Sequence, residues 1–253
     1  MQNPLFTESE QEDLPLVSCI MPTCNRRTFV PRAIEYFLRQ NYPNRELIIV
    51  DDGTDKVKDL VPCDSRILYL QLDRKCTIGA KRNLACEEAN GEILVHWDDD
   101  DWIAPWRLEY QVKILQREEA DICGLNRLFF YNPVSDQAWE YIYPGRGRPW
   151  LSGGTFCYTR TFWEKKPFPD INAGESTRFI WTNRPRKMIV MQDNTFYVAL
   201  IHRGNTSPRQ ITVNRWHAQP NRLIRDLMDE DHSFYTNLFD DQKISGGVNG
   251  RKS

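Results

Sequence analysis

The chain has 253 residues, of which 40% are hydrophobic, and its formal net charge at pH 7 is -2. A chain of this size and composition can bury a core as one large domain or as two small ones. The small net charge creates no overall field that attracts nucleic acid or an anionic membrane, so we expect no nucleic-acid partner.

Cysteine usage and hydropathy indicate a cytoplasmic protein. The seven cysteines form no CxxC pair and lie scattered through apolar stretches, as reduced thiols do. No apolar run approaches the roughly 20 residues of a membrane span, and no charged-then-apolar leader opens the chain. We therefore expect no transmembrane segment, while peripheral contact with a membrane is left open.

The organisation along the chain predicts a single domain with two flexible ends. Residues 1–14 carry four acidic side chains and little that could pack, and residues 240–253 contain three glycines. The domain between them, 15–239, divides into a regular half over 15–119 and a less regular half over 120–239.

The regular half predicts strands that alternate with helices. The apolar runs predict strands over 16–21, 46–50, 66–72 and 92–97, and Pro22 is expected to end the first of them. Alternation at this spacing is typical of right-handed crossovers and a mostly parallel sheet flanked by helices, a Rossmann-type α/β fold.

The helices of this half are predicted from the spacing of their apolar residues and from their capping residues. Apolar positions at helical spacing begin at Val30, with Thr28 as the expected N-cap. A second helix is predicted over 78–89, capped by Thr77 and stopped by the Asn-Gly pair that follows. A third helical period begins near Arg107.

The less regular half contains short apolar runs, which predict added strands and connecting helices that build a second binding surface. These runs lie at 121–131, 155–158, 188–191 and 196–201.

Four consecutive aspartates, residues 98–101, follow the predicted strand over 92–97. Adjacent carboxylates repel one another by roughly 1 kcal/mol per pair ~4 Å apart, even in bulk water. A cation would neutralise them, and ligands that are all oxygen favour Mg²⁺, Mn²⁺ or Ca²⁺. Extended chain would place Asp98 and Asp100 on one side and Asp99 and Asp101 on the other. The alternative is a solvated acidic turn; an EF-hand fits poorly, because Ile103 occupies the position that requires glycine.

Two further polar clusters complete a possible nucleotide site. Asp51 and Asp52 follow the second strand, where a carboxylate commonly accepts hydrogen bonds from a nucleoside. Lys81 and Arg82 lie in the first turns of a helix, a position that favours phosphate, although such side chains are often only solvated. The sequence contains neither GxGxxG nor a Walker A motif. The three clusters together predict a metal-bound nucleoside diphosphate.

Four blocks now resemble one family. The segments VSCIMPTCNR (17–26), LIIVDDG (47–53), GAKRN (79–83) and DDDDW (98–102) are similar, in order and spacing, to family 2 glycosyltransferases of the GT-A fold. The resemblance covers about residues 15–210. It implies a nucleotide-sugar donor, usually UDP-linked, that binds in the 15–119 half, and an acceptor side in the 120–239 half.

The resemblance also implies roles for individual residues. Asp98 and Asp100 would hold a divalent ion, Mn²⁺ or Mg²⁺, in a DxD motif, with Asp101 and His202 as further candidate ligands. Residues expected to line the donor nucleotide are Pro22, Thr23, Asn25, Arg26, Asp51, Asp52, Lys81, Arg82, Asp98 and Asp99.

Later segments continue the resemblance on the acceptor side. GGTFCYTR (153–160) is similar to the segment that joins the donor and acceptor sites, which assigns Gly153 and Gly154 to it. GESTRF (174–179) is similar to a Gly-Glu-Asp block whose aspartate is the usual base of inverting enzymes. Here Ser176 occupies that position, so Glu175 becomes the preferred base. YVALIHR (197–203) and NTS (205–207) carry His202.

Among the tryptophans, only Trp102 is assigned to the site, since tryptophans in α/β domains are more often packing residues. The resulting interpretation is metal-dependent, inverting transfer of a sugar from a nucleoside diphosphate sugar to an acceptor hydroxyl. The acceptor could be a glycan, lipid, peptide or small molecule. The alternatives are a catalytically silent nucleotide-sugar-binding module and a sugar-1-phosphate nucleotidyltransferase, which normally has a Gly-rich segment after its first strand.

Overall fold

The computed structural model describes residues 14–144, 147–206, 211 and 214–239. The predicted tail, nearly all of the predicted lead-in and Ser207 lie outside the described residues. The proposed domain boundaries therefore stay predictions.

The described strands are numbered here in chain order. They are β1 (Val17–Thr23), β2 (Arg45–Asp51), β3 (Ile67–Gln71), β4 (Ile93–His96), β5 (Trp102–Ile103), β6 (Ile122–Gly124), β7 (Arg127–Asn132), β8 (Gln137–Ile142), β9 (Cys157–Thr159), β10 (Met188–Val190), β11 (Tyr197–Leu200) and β12 (Trp216–Gln219). The α-helices are α1 (Val30–Leu38), α2 (Ile78–Glu88), α3 (Arg107–Arg117), α4 (Arg160–Lys165), α5 (Glu175–Asn183), α6 (Asn221–Met228) and α7 (His232–Leu238).

The central sheet has the strand order β10-β6-β9-β4-β1-β2-β3. Strands β4, β1, β2 and β3 are parallel to one another, and β10 is parallel to β6. Strand β9 is antiparallel to both of its neighbours. A second sheet has the order β12-β8-β7-β11-β5. The short apolar runs of the less regular half supply β7 and β11 to this sheet, and β6, β9 and β10 to the central one. The α/β class with a mixed, mostly parallel central sheet is confirmed.

Alternation along the strands creates a hydrophobic layer on each face of the central sheet. In β1, Cys19 and Met21 belong to the cluster that includes α1 and α3, whereas Ile20 belongs to the cluster that includes α2 and α5. Successive side chains of a strand point to opposite faces, so helices cover both sides. The polar loops are left at the carboxyl edge of the parallel strands.

Two local predictions are wrong and one is confirmed. Strand β1 continues through Pro22, which is tolerated because β4 pairs with β1 only as far as Ile20 and leaves that side unpaired. Helix α1 has Phe29, not Thr28, at its N-cap, with no side-chain cap. Thr77 caps α2 as predicted, because its side chain accepts a hydrogen bond from the backbone N–H of Ala80.

Candidate active site

A cleft of about 540 Å³ opens at the carboxyl edge of the central sheet. This is the edge at which open α/β sheets bind ligands, and the volume lies in the range of small-molecule sites. Its walls come from the loops after β1 and β4, the 3₁₀ turn Gly153–Thr155, the start of α5 and the end of β11.

The acidic turn, residues 98–101, forms the floor of this cleft, and all four aspartates line it. Asp98 lies 3.4 Å from the guanidinium of Arg82, and the Tyr197 hydroxyl donates to the same carboxylate at 3.4 Å. Asp99 accepts a 2.7 Å hydrogen bond from the Thr23 hydroxyl. The turn is bent rather than extended, so the predicted alternation of the four side chains between two sides is wrong.

The other two aspartates of the turn have different surroundings. Asp100 is 2.9 Å from Nε2 of His202 and 3.4 Å from the guanidinium of Arg26. Asp101 is buried and accepts hydrogen bonds from the Tyr197 hydroxyl and, at 2.8 Å, from the backbone N–H of Leu200. The Asp101 carboxylate is therefore committed to β11, whereas Asp98, Asp99 and Asp100 remain partly exposed to the cleft.

Burial and mutual repulsion distribute the charge unevenly among these carboxyls. Burial, followed by the charge of Asp100, raises the pKa of Asp99 to about 7. Burial and the charges of Asp100 and Asp98 raise the pKa of Asp101 well above its usual range. Burial also acts to raise the pKa of Asp100, but the hydrogen bond from His202 and the charge of Arg26 outweigh it and lower that pKa. Within the 99–101 group, Asp100 is thus the carboxyl whose ionised form the surroundings favour, because its pKa alone is lowered.

The donor set of the turn fits a hard divalent cation in its chemistry. Asp98 and Asp100 present carboxylate oxygens to one cleft, and His202 adds an imidazole nitrogen beside Asp100. Across the described ranges, however, no group of three or more His, Cys, Asp or Glu side chains is arranged to hold a metal ion. Arg26 already supplies a positive charge next to Asp100.

Arg82 connects the acidic turn to the predicted base. Its guanidinium lies 3.4 Å from Asp98 and 3.6 Å from Oε1 of Glu175, and it also contacts Nδ1 of His96. Burial, followed by the charge of Arg82, lowers the pKa of His96 well below its usual range, so this imidazole is neutral. Arg82 is therefore the cation that two carboxylates in the cleft share.

Glu175 begins α5 and lines the cleft beside Ser176. The helix is preceded by Gly174, whose φ of +76° is a left-handed conformation that glycine adopts without strain. The structure thus brings Glu175 and Ser176 into the same cleft as the acidic turn.

The two glycines of the 3₁₀ turn lie in close contact with other site residues. A Cβ on Gly154 would lie 2.2 Å from the Tyr197 hydroxyl and 2.5 Å from a carboxylate oxygen of Asp98. A Cβ on Gly153 would lie 2.7 Å from the hydroxyl of Ser176. Both residues line the cleft, and Gly154 also contacts the acidic turn that was assigned to the donor.

Arg107 holds this glycine turn against the end of β4. Its buried guanidinium donates 2.9 Å hydrogen bonds to the carbonyls of His96 and Gly154. The same guanidinium lies over the Tyr197 ring, 5.2 Å from its centroid. One buried cation therefore connects the end of β4, the glycine turn and Tyr197.

The loop after β1 supplies the other predicted donor residues, and Pro22, Thr23, Asn25 and Arg26 all line the cleft. Asn25 has a positive φ of 55°, and its side-chain oxygen accepts a 2.9 Å hydrogen bond from the Asp55 backbone. This contact joins the β1 loop to the loop after β2.

Asp51 and Asp52 do not lie among the residues that line the cleft. Buried Asp51 accepts hydrogen bonds from the N–H groups of Gly53 and Val57 and from the Tyr69 hydroxyl. Asp52 forms a buried 2.7 Å ion pair with Lys81, which itself borders the cleft. The structure therefore gives both aspartates intramolecular partners, where the sequence predicted contact with a nucleoside.

Trp102 is likewise not brought to the cleft. It is buried, and its indole N–H donates a 3.0 Å hydrogen bond to Asp231, in the segment between α6 and α7. Trp150 lines the cleft instead.

Sequence reasoning assigned no role to several residues that line the cleft, although some of them lie in the segments singled out above. They are Cys24, Lys75, Ile78, Trp150, Ser152, Asn172, Gly174, Thr177, Tyr197, Leu200, Gly204, Asn205 and Thr206. Tyr197 could have been suspected, since it is the polar aromatic residue in an otherwise apolar strand. The positions of the others depend on tertiary folding.

Comparison with known proteins assigns the family. The sequence profile described as "Glycosyl transferase family 2" matches residues 18–176. An uncharacterized glycosyltransferase of Haemophilus influenzae is 34% identical over 108 residues, which are 41% of this chain and 43% of that protein. The glycosyltransferase GlyG of Streptococcus pneumoniae is 27% identical over 147 residues, 56% of this chain and 46% of that protein. The chain thus matches less than half the length of these relatives.

Solved structures share the fold. S. aureus TarS 1-349 in complex with UDP-GlcNAc superposes with a TM-score of 0.62 at 18% identity, covering 92% of this chain and 76% of that one. The mannosyltransferase PcManGT of Pyrobaculum calidifontis, in complex with GDP-Man and Mn²⁺, gives a TM-score of 0.58 at 16% identity, covering 96% and 78%. In the described part of this chain, no helix has both the length and the apolar character that a membrane crossing requires.

Proposed function

The chain belongs to glycosyl transferase family 2, and on that premise we propose that it transfers a sugar from a nucleoside diphosphate sugar to an acceptor hydroxyl. One observation carries the proposal: the acidic turn opens into a cleft in which Arg26 and Arg82 lie beside Asp100 and Asp98. The arginines could pair with a diphosphate, and the carboxylates could hold a divalent ion.

The proposed donor is UDP-linked. A GT-A neighbour holds UDP-GlcNAc and another holds GDP-Man, so a nucleoside diphosphate sugar is the common ligand class. The proposed donor contacts are the cleft-lining residues Pro22, Thr23, Asn25, Arg26, Lys81 and Arg82. Asp52 then acts through Lys81, whose ammonium it holds in place.

We propose Mn²⁺ or Mg²⁺ as the cofactor, held by Asp98 and Asp100 with His202. When bound, the ion would stabilise negative charge on the departing diphosphate. Asp101 is the weaker candidate among the predicted ligands, because hydrogen bonds to Leu200 and Tyr197 already occupy its carboxyl oxygens.

Glu175 is the proposed general base. The acceptor oxygen forms a bond to the anomeric carbon while the bond from that carbon to the diphosphate oxygen breaks, and its electron pair leaves with the diphosphate. Glu175 takes the proton of the acceptor hydroxyl, and its carboxylate lies 3.6 Å from the Arg82 guanidinium. Attack from the face opposite the leaving group inverts the anomeric centre. Gly153, Gly154 and Ser176 would border the acceptor.

We also propose that the enzyme acts in the cytoplasm. All seven cysteines are free thiols, and Cys19, Cys86, Cys123 and Cys157 are buried. Reduced cysteines of this kind suit a reducing compartment.

A thermal-shift screen of UDP-, GDP- and dTDP-sugars, with and without Mn²⁺, tests the proposal, followed by an assay of donor hydrolysis. We expect a UDP-sugar to stabilise the protein in Mn²⁺, by about 2.7 kcal/mol when the ligand is at 100 times its Kd, and to be slowly hydrolysed. Binding without any hydrolysis or transfer would favour the silent module. Release of pyrophosphate from a nucleoside triphosphate would favour the nucleotidyltransferase.

A further inference from the structure

The tryptophans separate into packing residues and one residue of the cleft. Trp97, Trp102 and Trp163 are buried in the two hydrophobic clusters. Trp150 instead is half-buried and lines the cleft next to Ser152, Gly153 and Gly154. Its indole therefore lies on the side of the cleft that the proposed function gives to the acceptor.

Trp150 is the first member of a row of rings that leaves the cleft. Its ring stacks on Tyr143, with centroids 4.9 Å apart and planes 22° apart, and meets Tyr141 edge-on at 5.8 Å. Tyr141 in turn contacts Trp216 at 5.2 Å. These four residues, the aromatic row, are all half-buried, so parts of their rings face solvent along β8 and β12.

The backbone around Trp150 is held by hydrogen bonds to neighbouring aromatic residues. The indole N–H of Trp181, on α5, donates to the carbonyl of Pro149 at 2.8 Å. The Tyr143 hydroxyl donates to the carbonyl of Arg148 at 3.3 Å. Helix α5 also carries Glu175, so the position of Trp150 is tied to the helix that presents the proposed base.

The residues on the Trp150 side of the cleft favour a ligand that has an apolar face and polar groups at its edge. One face of the half-buried Trp150 indole is stacked on Tyr143, and the rest of the side chain presents apolar surface to the cleft. Ser152, Asn172, Ser176 and Thr177 line the same cleft with hydrogen-bonding groups. A pyranose ring has this character, because its C–H groups form a face and its hydroxyls lie at the periphery. We propose that the acceptor is a glycan, with its terminal sugar on Trp150 and the preceding sugars along the aromatic row. This proposal rests on the proposed function.

A lipid surface fits Trp150 and the aromatic row less well than a glycan does. The row begins inside a cleft whose floor is the acidic turn, and those carboxylates would repel an anionic bilayer. Two members of the row, Tyr141 and Trp216, lie in strands of the second sheet, and the exposed large aliphatic side chains among the described residues are Leu68, Ile142 and Ile211.

The test is binding of the protein, in the presence of UDP and Mn²⁺, to a printed glycan array, followed by titration of the best soluble oligosaccharide. We expect Trp150→Leu to weaken glycan binding by about tenfold or more and Trp150→Phe to retain it within about threefold, since a ring face is kept. Tyr143→Leu should remove most of the advantage of a longer glycan over a disaccharide. Trp106→Phe is the matched control, because Trp106 packs between Tyr110 and Phe196 outside the cleft. This variant should bind glycans like the wild type.

Calorimetry with UDP on each variant separates the two proposals. Normal UDP binding together with glycan binding that depends on Trp150 supports the glycan acceptor. Normal UDP binding with no array binding, with equal glycan binding by Trp150→Leu, or with capture only on phosphatidylglycerol vesicles overturns it and leaves the donor proposal intact. Absence of UDP binding by the wild type overturns the donor proposal itself.

Discussion

Strands β2 and β4 lie on either side of β1 in the central sheet, and each leads into an acidic turn, residues 51–52 and 98–101. The carboxylates of the two turns differ in their contacts and in their exposure. After β2, Asp51 receives three hydrogen bonds from its own fold, and Asp52 is paired with Lys81 out of contact with the cleft. After β4, Asp98 and Asp100 have long contacts with arginines and stay partly exposed. The two turns therefore differ in how far contacts within the fold occupy their carboxylates.

The largest expected effect is a loss of folding stability when Asp52, in the turn after β2, is replaced. Asp52→Ala leaves the Lys81 ammonium buried without its counter-ion, and removal of one partner of a buried pair costs about 3–5 kcal/mol. Urea unfolding should show this loss, and Lys81→Met in the same chain should recover part of it. A normal unfolding midpoint with weakened UDP binding would instead place Asp52 in the site.

Asp99→Asn is the matched change in the acidic turn, measured in EDTA. The folded-state pKa of Asp99 is raised to about 7, so between pH 4 and 7 the folded state holds a proton that the unfolded state has lost. Stability from this group therefore falls as the pH rises through that window. Asp99→Asn removes the dependence, and the variant should be at least as stable as the wild type at pH 8. A loss of stability at pH 8 would contradict this assignment.

The next effect tests the proposed base, Glu175, and its connection to the acidic turn. Glu175→Gln keeps the shape but removes the basicity, and it should lower turnover by about 10² or more with donor affinity nearly unchanged. Arg82 joins Glu175 to Asp98, so UDP affinity measured in parallel shows whether the acidic turn is disturbed. Transfer rates within threefold of the wild type at saturating acceptor would show that another group is the base.

A pair of glycines gives the smallest and most closely matched comparison. A Cβ on Gly53 would lie 2.6 Å from the Asn25 backbone nitrogen, and a Cβ on Gly154 would lie 2.5 Å from Asp98. Overpacking costs typically about 1–3 kcal/mol. Gly53→Ala should therefore lower the free energy of unfolding, and any effect on UDP binding through Asn25 should be the same in Mn²⁺ and in EDTA. Gly154→Ala should mainly weaken UDP binding in Mn²⁺. Equal effects of both variants on UDP binding would erase the distinction between the turns.

Local patterns predicted much of the donor half of the fold. Apolar periodicity located β1 to β4 and α1 to α3 within a few residues, because each is a short segment whose buried face repeats at a fixed spacing. Strand β8, the two-residue β5 and β12 were missed. They complete a second sheet whose pairings, such as β12 with β8, join residues far apart in the chain.

Contacts between residues far apart in the chain also limited the prediction of the site residues. Asp98, Arg82 and Glu175 could be nominated because their blocks resemble a family, and the structure brings all three together. The sequence could not reveal that Asp51 accepts a hydrogen bond from Tyr69 or that Trp102 donates one to Asp231. In each case the partner is distant in the sequence. Trp150 and Trp102 look alike in the sequence, and only the packing of the second sheet distinguishes them.

The central claim is that the acidic turn binds a nucleoside diphosphate through a divalent ion. Isothermal calorimetry of UDP with wild type and Asp100→Asn, each in Mn²⁺ and in EDTA, tests it most directly. The lost contact acts through the ion, so the variant should bind UDP about tenfold or more weakly than wild type in Mn²⁺ and equally in EDTA. Equal affinities of the two proteins in Mn²⁺ would contradict the account.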